Sequence, residues 1–456
     1  MVMIRSISCV GYRGFATKQT LNLAIPDGKP GSGLTVLVGP NGGGKSTLIE
    51  CFNKIATRKN ASFSIGKRNI KAGNRVEIDI DIDGQIGVLS TIKGGSQAEW
   101  KGGDVPKIYH LPSRRSFTPF FNKTEWSRTT YLAQQQSSPY RSSSLDSYTV
   151  RLIDLNKNGS AEFDEMLKRV IGMPLKWTID QDDNNNYFVN ISKKNGAQHN
   201  SDGMGEGILS LLFIVDALCG DDNELVVIDE PELSLHPQLQ IRLLNEILTK
   251  TKTSQIVIST HSPNLVSLES IANNGMIARV FESENGTKIC EIDERSRKFI
   301  ISTINNINNP HILGIDARSC FFAEDKLIIT EGQEDVVLYP KIMKELGRDS
   351  ILPFFGFGAG GAGNMIEVAY LLHKMGFQKI GAIYDGDKKD DYVAFNKEFS
   401  SLGFKAWIIP ADDVRDKEEY KSKPKSGLMD KDKKYLKEEY KDILKRMFME
   451  IDSFLN

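Results

Sequence analysis

The 456-residue chain is too long for one ordinary core, so two or three domains are expected. Its 40% hydrophobic and 26% charged residues are those of a globular protein, and a formal net charge of -1 excludes a globally basic polyanion binder, confining any such contact to a local patch. Five scattered cysteines (Cys9, Cys51, Cys219, Cys290, Cys320) without a C-x-x-C pair argue against a zinc or disulfide framework, and without a signal peptide or spanning apolar run the protein is expected in the cytoplasm, with no membrane partner.

The chain opens on an apolar, strand-like stretch. A second, Leu34–Val38, runs into a glycine-rich turn and an apolar helix start at Thr47-Leu48-Ile49. From Val76 to Ile82 apolar residues alternate with Glu77, Asp79 and Asp81, the period of a half-buried strand. Residues 83–160 are rich in Gly, Ser, Gln and aromatics, then Phe163, Met166, Leu167, Val170 and Ile171 follow helical spacing, all within a span of 83–200. This span reads as a partly helical insertion. Within and beside it, Lys101, Lys107, Arg114, Arg115, Lys123 and Arg128 face only Asp104 and Glu125, as either a basic contact patch or a solvated loop. A helix at Ile208–Leu218, a strand at Leu225–Asp229, a helix through Ile241–Leu248, a strand at Ile256–Ser259 and two short strands complete a first domain over 1–315. From Lys326, strands Leu327–Thr330, Ile351–Phe355, Ile380–Asp385 and Ala406–Pro410 alternate with helices near 334–346, 363–375 and 391–402. That pattern predicts a second α/β domain over 320–456, with a small, mainly parallel sheet. The Lys-, Glu- and Asp-rich tail from Lys417 reads as a solvated helix.

Gly39-Pro40-Asn41-Gly42-Gly43-Gly44-Lys45-Ser46-Thr47 fits G-x-x-x-x-G-K-[ST] between a strand and a helix. Glycines let backbone N–H groups close around phosphate oxygens, Lys45 reaches terminal phosphates, and Ser46 offers a hydroxyl to Mg²⁺. Leu225-Val226-Val227-Ile228-Asp229-Glu230 places Asp229 at an exposed strand end for the Mg²⁺ shell and Glu230 beside it as a base for water. With Pro231–Pro237 and Ser259-Thr260-His261-Ser262, these residues resemble the ABC-type ATPase set of Walker B, D-loop and switch histidine, which implies that His261 contacts the γ-phosphate of ATP. Ser201-Asp202-Gly203-Met204-Gly205-Glu206-Gly207 stands where that family carries its signature, in looser wording. Ser201 and Gly203 would act on the nucleotide of a second protomer, which implies a homodimer or higher homo-oligomer. Gln85 and Gln97 are alternatives for the Q-loop. Gly11-Tyr12-Arg13-Gly14-Phe15 resembles the Phe-Arg-x-Phe opening of DNA-repair and SMC-like ATPases.

In the second domain Glu331-Gly332-Gln333-Glu334-Asp335 follows the first strand, and Asp385-Gly386-Asp387 ends the third. Carboxylates at adjacent ends of parallel strands converge, and oxygen ligands suit Mg²⁺. The order resembles the TOPRIM domain. Asp412, Asp413 or Asp416 would add a further acid, with Asp413 preferred. Lys423 or Lys425 would stabilise charge on a phosphorane, with Lys425 preferred. ATPase followed by TOPRIM resembles the OLD (overcoming lysogenization defect) family. The resemblance implies a metal-dependent DNA endonuclease of anti-phage defence, with Glu331, Asp335, Asp385 and Asp387 holding Mg²⁺ or Mn²⁺. It also implies DNA as substrate and, in some members, a partner such as a retron reverse transcriptase with its DNA. A rival reading is an ATP-dependent sensor or scaffold that does not cut. Two further motifs read otherwise. Gly356–Gly361 fits G-x-G-x-x-G but follows the wrong strand for a dinucleotide, and Asp154–Glu165 fits an EF-hand spacing but reads as a turn before a helix.

Overall fold

A computed structural model of the chain describes residues 2–113, 115, 125–137, 148–158, 161–173, 176–183, 185–192, 198–200, 205–220, 225–306, 311–323, 325–348, 352–417, 424–430, 432 and 435–455. It forms two compact α/β units, Met1–Ile289 and Cys290–Asn456.

The strands of the first unit are β1 (Ile4–Val10), β2 (Gln19–Asn22), β3 (Leu34–Val38), β4 (Glu77–Ile82), β5 (Gln85–Thr91), β6 (Ala98–Lys101), β7 (Ile108–Leu111), β8 (Lys176–Gln181), β9 (Tyr187–Ser192), β10 (Gln198–Asn200), β11 (Leu225–Asp229), β12 (Gln255–Ser259), β13 (Met276–Ser283) and β14 (Gly286–Glu291). Its central sheet has the order β14-β13-β3-β12-β11-β7, and the pairs from β13 to β7 are all parallel. Every residue of β3, β11 and β12 is buried, which is why each reads as a mainly apolar run rather than an alternating one. Each buried Leu, Ile or Val side chain contributes about 1.5–3 kcal/mol. Pairing of Asp229 with Ser259, and of Ser259 with Leu37, sets the carboxyl ends of β3, β12 and β11 side by side. A ligand of an open parallel sheet binds at that edge.

A second, antiparallel sheet has the order β2-β1-β4-β5-β6. The insertion expected over 83–200 therefore starts later. β5 and β6 complete this sheet and β7 forms an edge of the central one. Both β5 and β6 are half-exposed, so polar and small residues such as Gln85, Gly87 and Ser90 in β5 and Glu99 and Lys101 in β6 hide the strand period. Helices Arg128–Ser137, Tyr148–Asn158 and Ala161–Ile171 and the sheet β10-β9-β8 follow. Asp154, the first position of the EF-hand-like spacing, pairs with Arg151 and accepts from Asn158 at 2.7 Å.

In the second unit β15 (Lys326–Thr330), β16 (Lys379–Tyr384) and β17 (Lys405–Ile408) pair in parallel in that order. The second expected strand, Ile351–Phe355, is reduced among the described residues to a bridge between Phe354 and Ile328. Pro353 supplies a carbonyl to Ile328 N–H but has no N–H of its own, so the ladder cannot extend. Two short strands, β18 (Asp413–Arg415) and β19 (Gly427–Met429), also pair in parallel. Helices Gln333–Glu345, Ala362–Lys374 and Lys389–Phe399 fill the crossovers.

Two expectations shift here. The helix Glu294–Ile304, placed in the first domain by composition, packs in the second unit. Asp293 accepts from Tyr370 at 2.6 Å, and Arg295 pairs with Glu367 and Glu398 at 2.8 and 2.9 Å. The charged tail is also not simply solvated. Its helix Lys441–Leu455 buries Leu444, Met447, Phe448, Ile451 and Leu455 in the core of this unit. Their i, i+3, i+4, i+7 spacing is masked by intervening Lys445, Arg446 and Glu450.

Candidate functional site

At the end of β3 the chain turns through Gly39 to Gly44 into the helix Lys45–Ala56. Gly39 adopts φ +130, and a Cβ there would lie 2.2 Å from Val280 O, so the turn admits only glycine. Lys45 donates to Gly39 O and Pro40 O at 2.8 and 2.9 Å. Burial lowers its pKa to about 8, with Glu230 and Asp229 opposing. Ser46 Oγ donates to Asp229 Oδ1 at 3.2 Å, and Ser259 Oγ bonds the same oxygen. Those two partners place the Walker A hydroxyl and the Walker B carboxylate on one point, where a hard divalent cation fits. Thr47 accepts from Arg13 at 3.3 Å, and Arg13 also pairs with Glu50 at 2.7 Å. The Tyr12-Arg13 opening is thereby fastened to the phosphate-loop helix.

Glu230 stands in the left-handed region at φ +49, an unusual conformation for a side-chain-bearing residue. Its N–H donates to Ser259 O at 2.9 Å. Its carboxylate lies 3.8 Å from His261 Nε2, and the His261 N–H donates to Glu232 at 2.6 Å. Burial and then Lys45 lower the His261 pKa, which favours neutral imidazole. Asn41, Gly42 and Gly43 lie in the loop between β3 and the helix. Ser201 and Gly203 lie outside the described residues. Of the signature segment, Gly205 caps the helix Glu206–Leu218, and Glu206 accepts from Ser234 at 3.1 Å in the turn after Glu230.

Arg115 was missed as a functional residue. Inside a basic run it reads as surface charge, yet it is 7% exposed. It donates to Pro112 O (2.7 Å), Asp229 O (2.8 Å), Glu230 O (2.9 Å) and Ser210 Oγ (2.8 Å). It thus fixes the backbone that aims both acids. Arg128 is likewise turned inward, against Asp216 and the ring of Tyr109. Lys101 pairs with Glu99, while Arg114 and Lys123 lie outside the described residues. The 101–128 run is therefore not a continuous exposed patch. Arg115→Ala is expected to cost about 3–5 kcal/mol by stranding four acceptors, and Arg115→Lys should restore little because an ammonium lacks the guanidinium fork. Unchanged thermal unfolding of Arg115→Ala would remove this role.

In the second unit, Glu331 follows β15 and Asp385 follows β16. Glu331 Oε1 accepts from Asp385 N–H at 3.0 Å, so the ends of the two strands are tied together. Asp335 caps the next helix by accepting from Gly332 N–H at 2.9 Å. Asp385 is 7% exposed and its Oδ1 has no hydrogen-bond partner among the described residues. Burial, then Asp335, Glu331 and Asp413, push its carboxyl up to about 9. Burial also pushes Asp335 up to about 7, with Glu331 and Asp413 adding to it, and raises Glu331. Asp387 pairs with Lys425 at 2.5 Å, and Asp413, 1% exposed, faces Lys417 and, at 3.9 Å, Lys425. Glu331, Asp335, Asp385, Asp413 and Lys425 line one cleft of about 670 Å³. The structure thus brings together most of the expected acids and Lys425. Asp416 is instead held by Lys437 at 2.8 Å, and Lys423 lies outside the described residues. Among the described residues, no three or more acidic, histidine or cysteine side chains are placed so that together they could hold a metal ion. The donor set is all carboxylate oxygen, the chemistry that Mg²⁺ or Mn²⁺ takes, and the unpaired Asp385 Oδ1 fits such a ligand.

The 356–361 turn lies against this cleft. Gly361 N–H donates to Glu331 O at 2.9 Å, and Gly358, at φ +85, would put a Cβ 2.7 Å from Gly332. It supports the acidic edge. Among the described residues, no helix is long and apolar enough to cross a membrane, and all five cysteines are free.

The family described as "AAA domain, putative AbiEii toxin, Type IV TA system" matches residues 104–267, the span that carries Asp229, Glu230 and His261. Old nuclease of Escherichia phage P2 is 28% identical over 167 residues, 34% of this chain and 26% of that protein. Septu protein PtuA of Bacillus thuringiensis is 22% identical over 347 residues, 67% of this chain and 86% of that protein. Endonuclease GajA of Bacillus cereus (strain VD045) is 26% identical over 127 residues, 27% of this chain and 19% of that protein. The matches to Old nuclease and GajA thus span only about a quarter and a fifth of those proteins. The chain is thus similar, over part of its length, to Old nuclease, PtuA and GajA, and carries an AAA-type match on a P-loop α/β sheet.

Proposed function

We propose that this chain binds and hydrolyses ATP in its first unit and cuts DNA in its second, as a metal-dependent endonuclease of TOPRIM type acting in anti-phage defence. The observation that carries the nuclease reading is the acidic cleft. Glu331 is bonded to the Asp385 backbone, Asp335 and Asp413 stand beside a buried, unpaired Asp385 oxygen, and Lys425 is at the rim. A fold gains no stability from crowding buried carboxylates, so the cluster is best explained by a ligand that neutralises it.

Glu331, Asp335, Asp385, Asp387 and Asp413 would hold Mg²⁺ or Mn²⁺, which when bound supplies Lewis-acid stabilisation of phosphoryl oxygens. Lys425 carries its proton to the cleft, since Asp387 and then Asp413 raise its pKa against partial burial. Released from Asp387, its ammonium can meet the charge that develops on the phosphodiester. In the first unit Lys45 and the 39–44 loop bind the phosphates, Ser46 and Asp229 hold Mg²⁺, and Glu230 takes the proton of the attacking water with His261 beside it. The segment from Ser201 to Gly207 would complete the site in a second protomer, giving a homodimer. A retron reverse-transcriptase partner rests on family resemblance alone.

The scaffold reading draws on a different observation. Lys425 and Lys417 already neutralise Asp387 and Asp413, as they would in a cleft that never takes a cation. Supercoiled plasmid, incubated with Mg²⁺ or Mn²⁺ with and without ATP, separates the two. Wild type is expected to nick it and Asp387→Ala to lose at least about 100-fold, roughly 2.7 kcal/mol of transition-state stabilisation. Absence of nicking under every condition would favour the scaffold.

A further inference from the structure

The first unit holds a cavity of about 630 Å³ at the far end of the phosphate-loop helix. Lys54, in the last turn of Lys45–Ala56, is nine residues from Lys45, roughly 13 Å along the helix axis. The lining includes Lys54, Lys59, Ser62, Ser64, Lys67 and Ser96. Lys54 is 7% exposed. Its Nζ lies 5.7 Å from the Phe63 ring centroid, and among the described residues neither it, Lys59 nor Lys67 forms an ion pair with a carboxylate. Burial lowers its pKa; Glu50 opposes this, and Lys67 and Arg13 add to it. Glu50 itself is engaged by Arg13 at 2.7 Å. The surrounding sequence is one-sided. Residues 51–76 contain Lys54, Arg58, Lys59, Lys67, Arg68, Lys71 and Arg75 and no acid.

We propose that this cavity seats the terminal phosphate of a nucleotide or of a nucleic-acid strand end. An anion here must overcome the partial negative charge of a helix C-terminus, about half a unit. Three ammonium groups outweigh it several-fold. The depth of Lys54 selects the shape of the anion. A phosphodiester on the convex face of a duplex cannot reach a floor group so little exposed, whereas a projecting phosphomonoester can. Three serine hydroxyls add neutral donors for its oxygens. Ile65 and Ile70, 79% and 82% exposed on the same basic segment, offer apolar surface to the attached base.

The site is independent of the endonuclease reading, and its test involves no cleavage. The full chain is titrated in EDTA against a fluorescent single strand bearing either a 5′-phosphate or a 5′-hydroxyl, followed by anisotropy. Tripolyphosphate binding is measured by calorimetry in parallel. The variants are Lys59→Gln with Lys67→Gln, whose exposed side chains leave the fold intact, and separately Lys54→Met. A 5′-phosphate preference of about 10-fold that disappears in the variants assigns the cavity to strand ends. Equal binding of the two strands, with tripolyphosphate affinity lowered about 10-fold in the variants, assigns it to free nucleotides. If the strands bind equally and the variants change neither measurement, the proposal is overturned.

Discussion

Glu230→Gln is expected to slow ATP turnover by about 10²–10⁴-fold while leaving ATP binding intact, because the substitution keeps the shape of the side chain and removes only its basicity. The surroundings make the distinction clean. The Glu230 backbone is held at φ +49 by Ser259 O at 2.9 Å and by Arg115 at 2.9 Å, and neither bond involves the carboxylate. Lys45, Ser46 and Asp229, proposed to take the phosphates and the cation, are unaltered. Phosphate release and nucleotide-binding affinity are the two measurements. Lys45→Ala should do the opposite and lose affinity first. In the dimeric reading, Glu230→Gln with ATP should also accumulate a species of twice the mass by light scattering. Wild-type turnover in Glu230→Gln would strip this residue of its assigned role.

The parts of the fold visible in the sequence are those where one physical demand dominates. β3, β11 and β12 are buried on both faces, so each is mainly apolar, and β11 and β12 end in the polar Asp229 and Ser259. Glu331 and Asp385 were legible for the same reason, as acids directly after buried strands. Where two demands compete, the pattern fades. β5 and β6 sit on a half-exposed sheet, and their polar residues passed for an insertion. The helix Lys441–Leu455 carries its five buried side chains between charges. Arg115 is not legible because sequence records its charge but not its four carbonyl and hydroxyl partners, three of which come from two distant segments, Ser210 and Asp229-Glu230. The lysines at 54, 59 and 67 went unnoticed because the net charge of the chain is near zero. Their signal was the absence of any acid over 51–76.

Asp385→Asn should stabilise the chelated protein and abolish its response to metal, a pairing of effects that an ordinary core mutation cannot give. Asp385 and Asp335 have folded-state pKa values pushed up to about 9 and about 7, from an unfolded value of about 3.9. A carboxyl raised on folding stabilises fully below its unfolded pKa, and that contribution is lost as pH rises toward the folded value. In EDTA the melting temperature of wild type should therefore fall between pH 6 and pH 9. A divalent cation neutralises the same charges, so the rise caused by Mg²⁺ should be larger at pH 8.5 than at pH 6. Asn at 385 removes the ionisation that folding opposes and keeps the side-chain volume. The pH slope in EDTA should flatten, the melting temperature at pH 8 should rise, and the Mg²⁺ shift should shrink together with plasmid nicking. Asp416→Asn, held by Lys437 at 2.8 Å and outside the cleft lining, is the control that should leave the Mg²⁺ shift unchanged. If Asp385→Asn instead destabilises the chelated protein at pH 8 and retains the full Mg²⁺ response, the cation does not sit on Asp385, and the acidic edge of this sheet has some use other than holding metal.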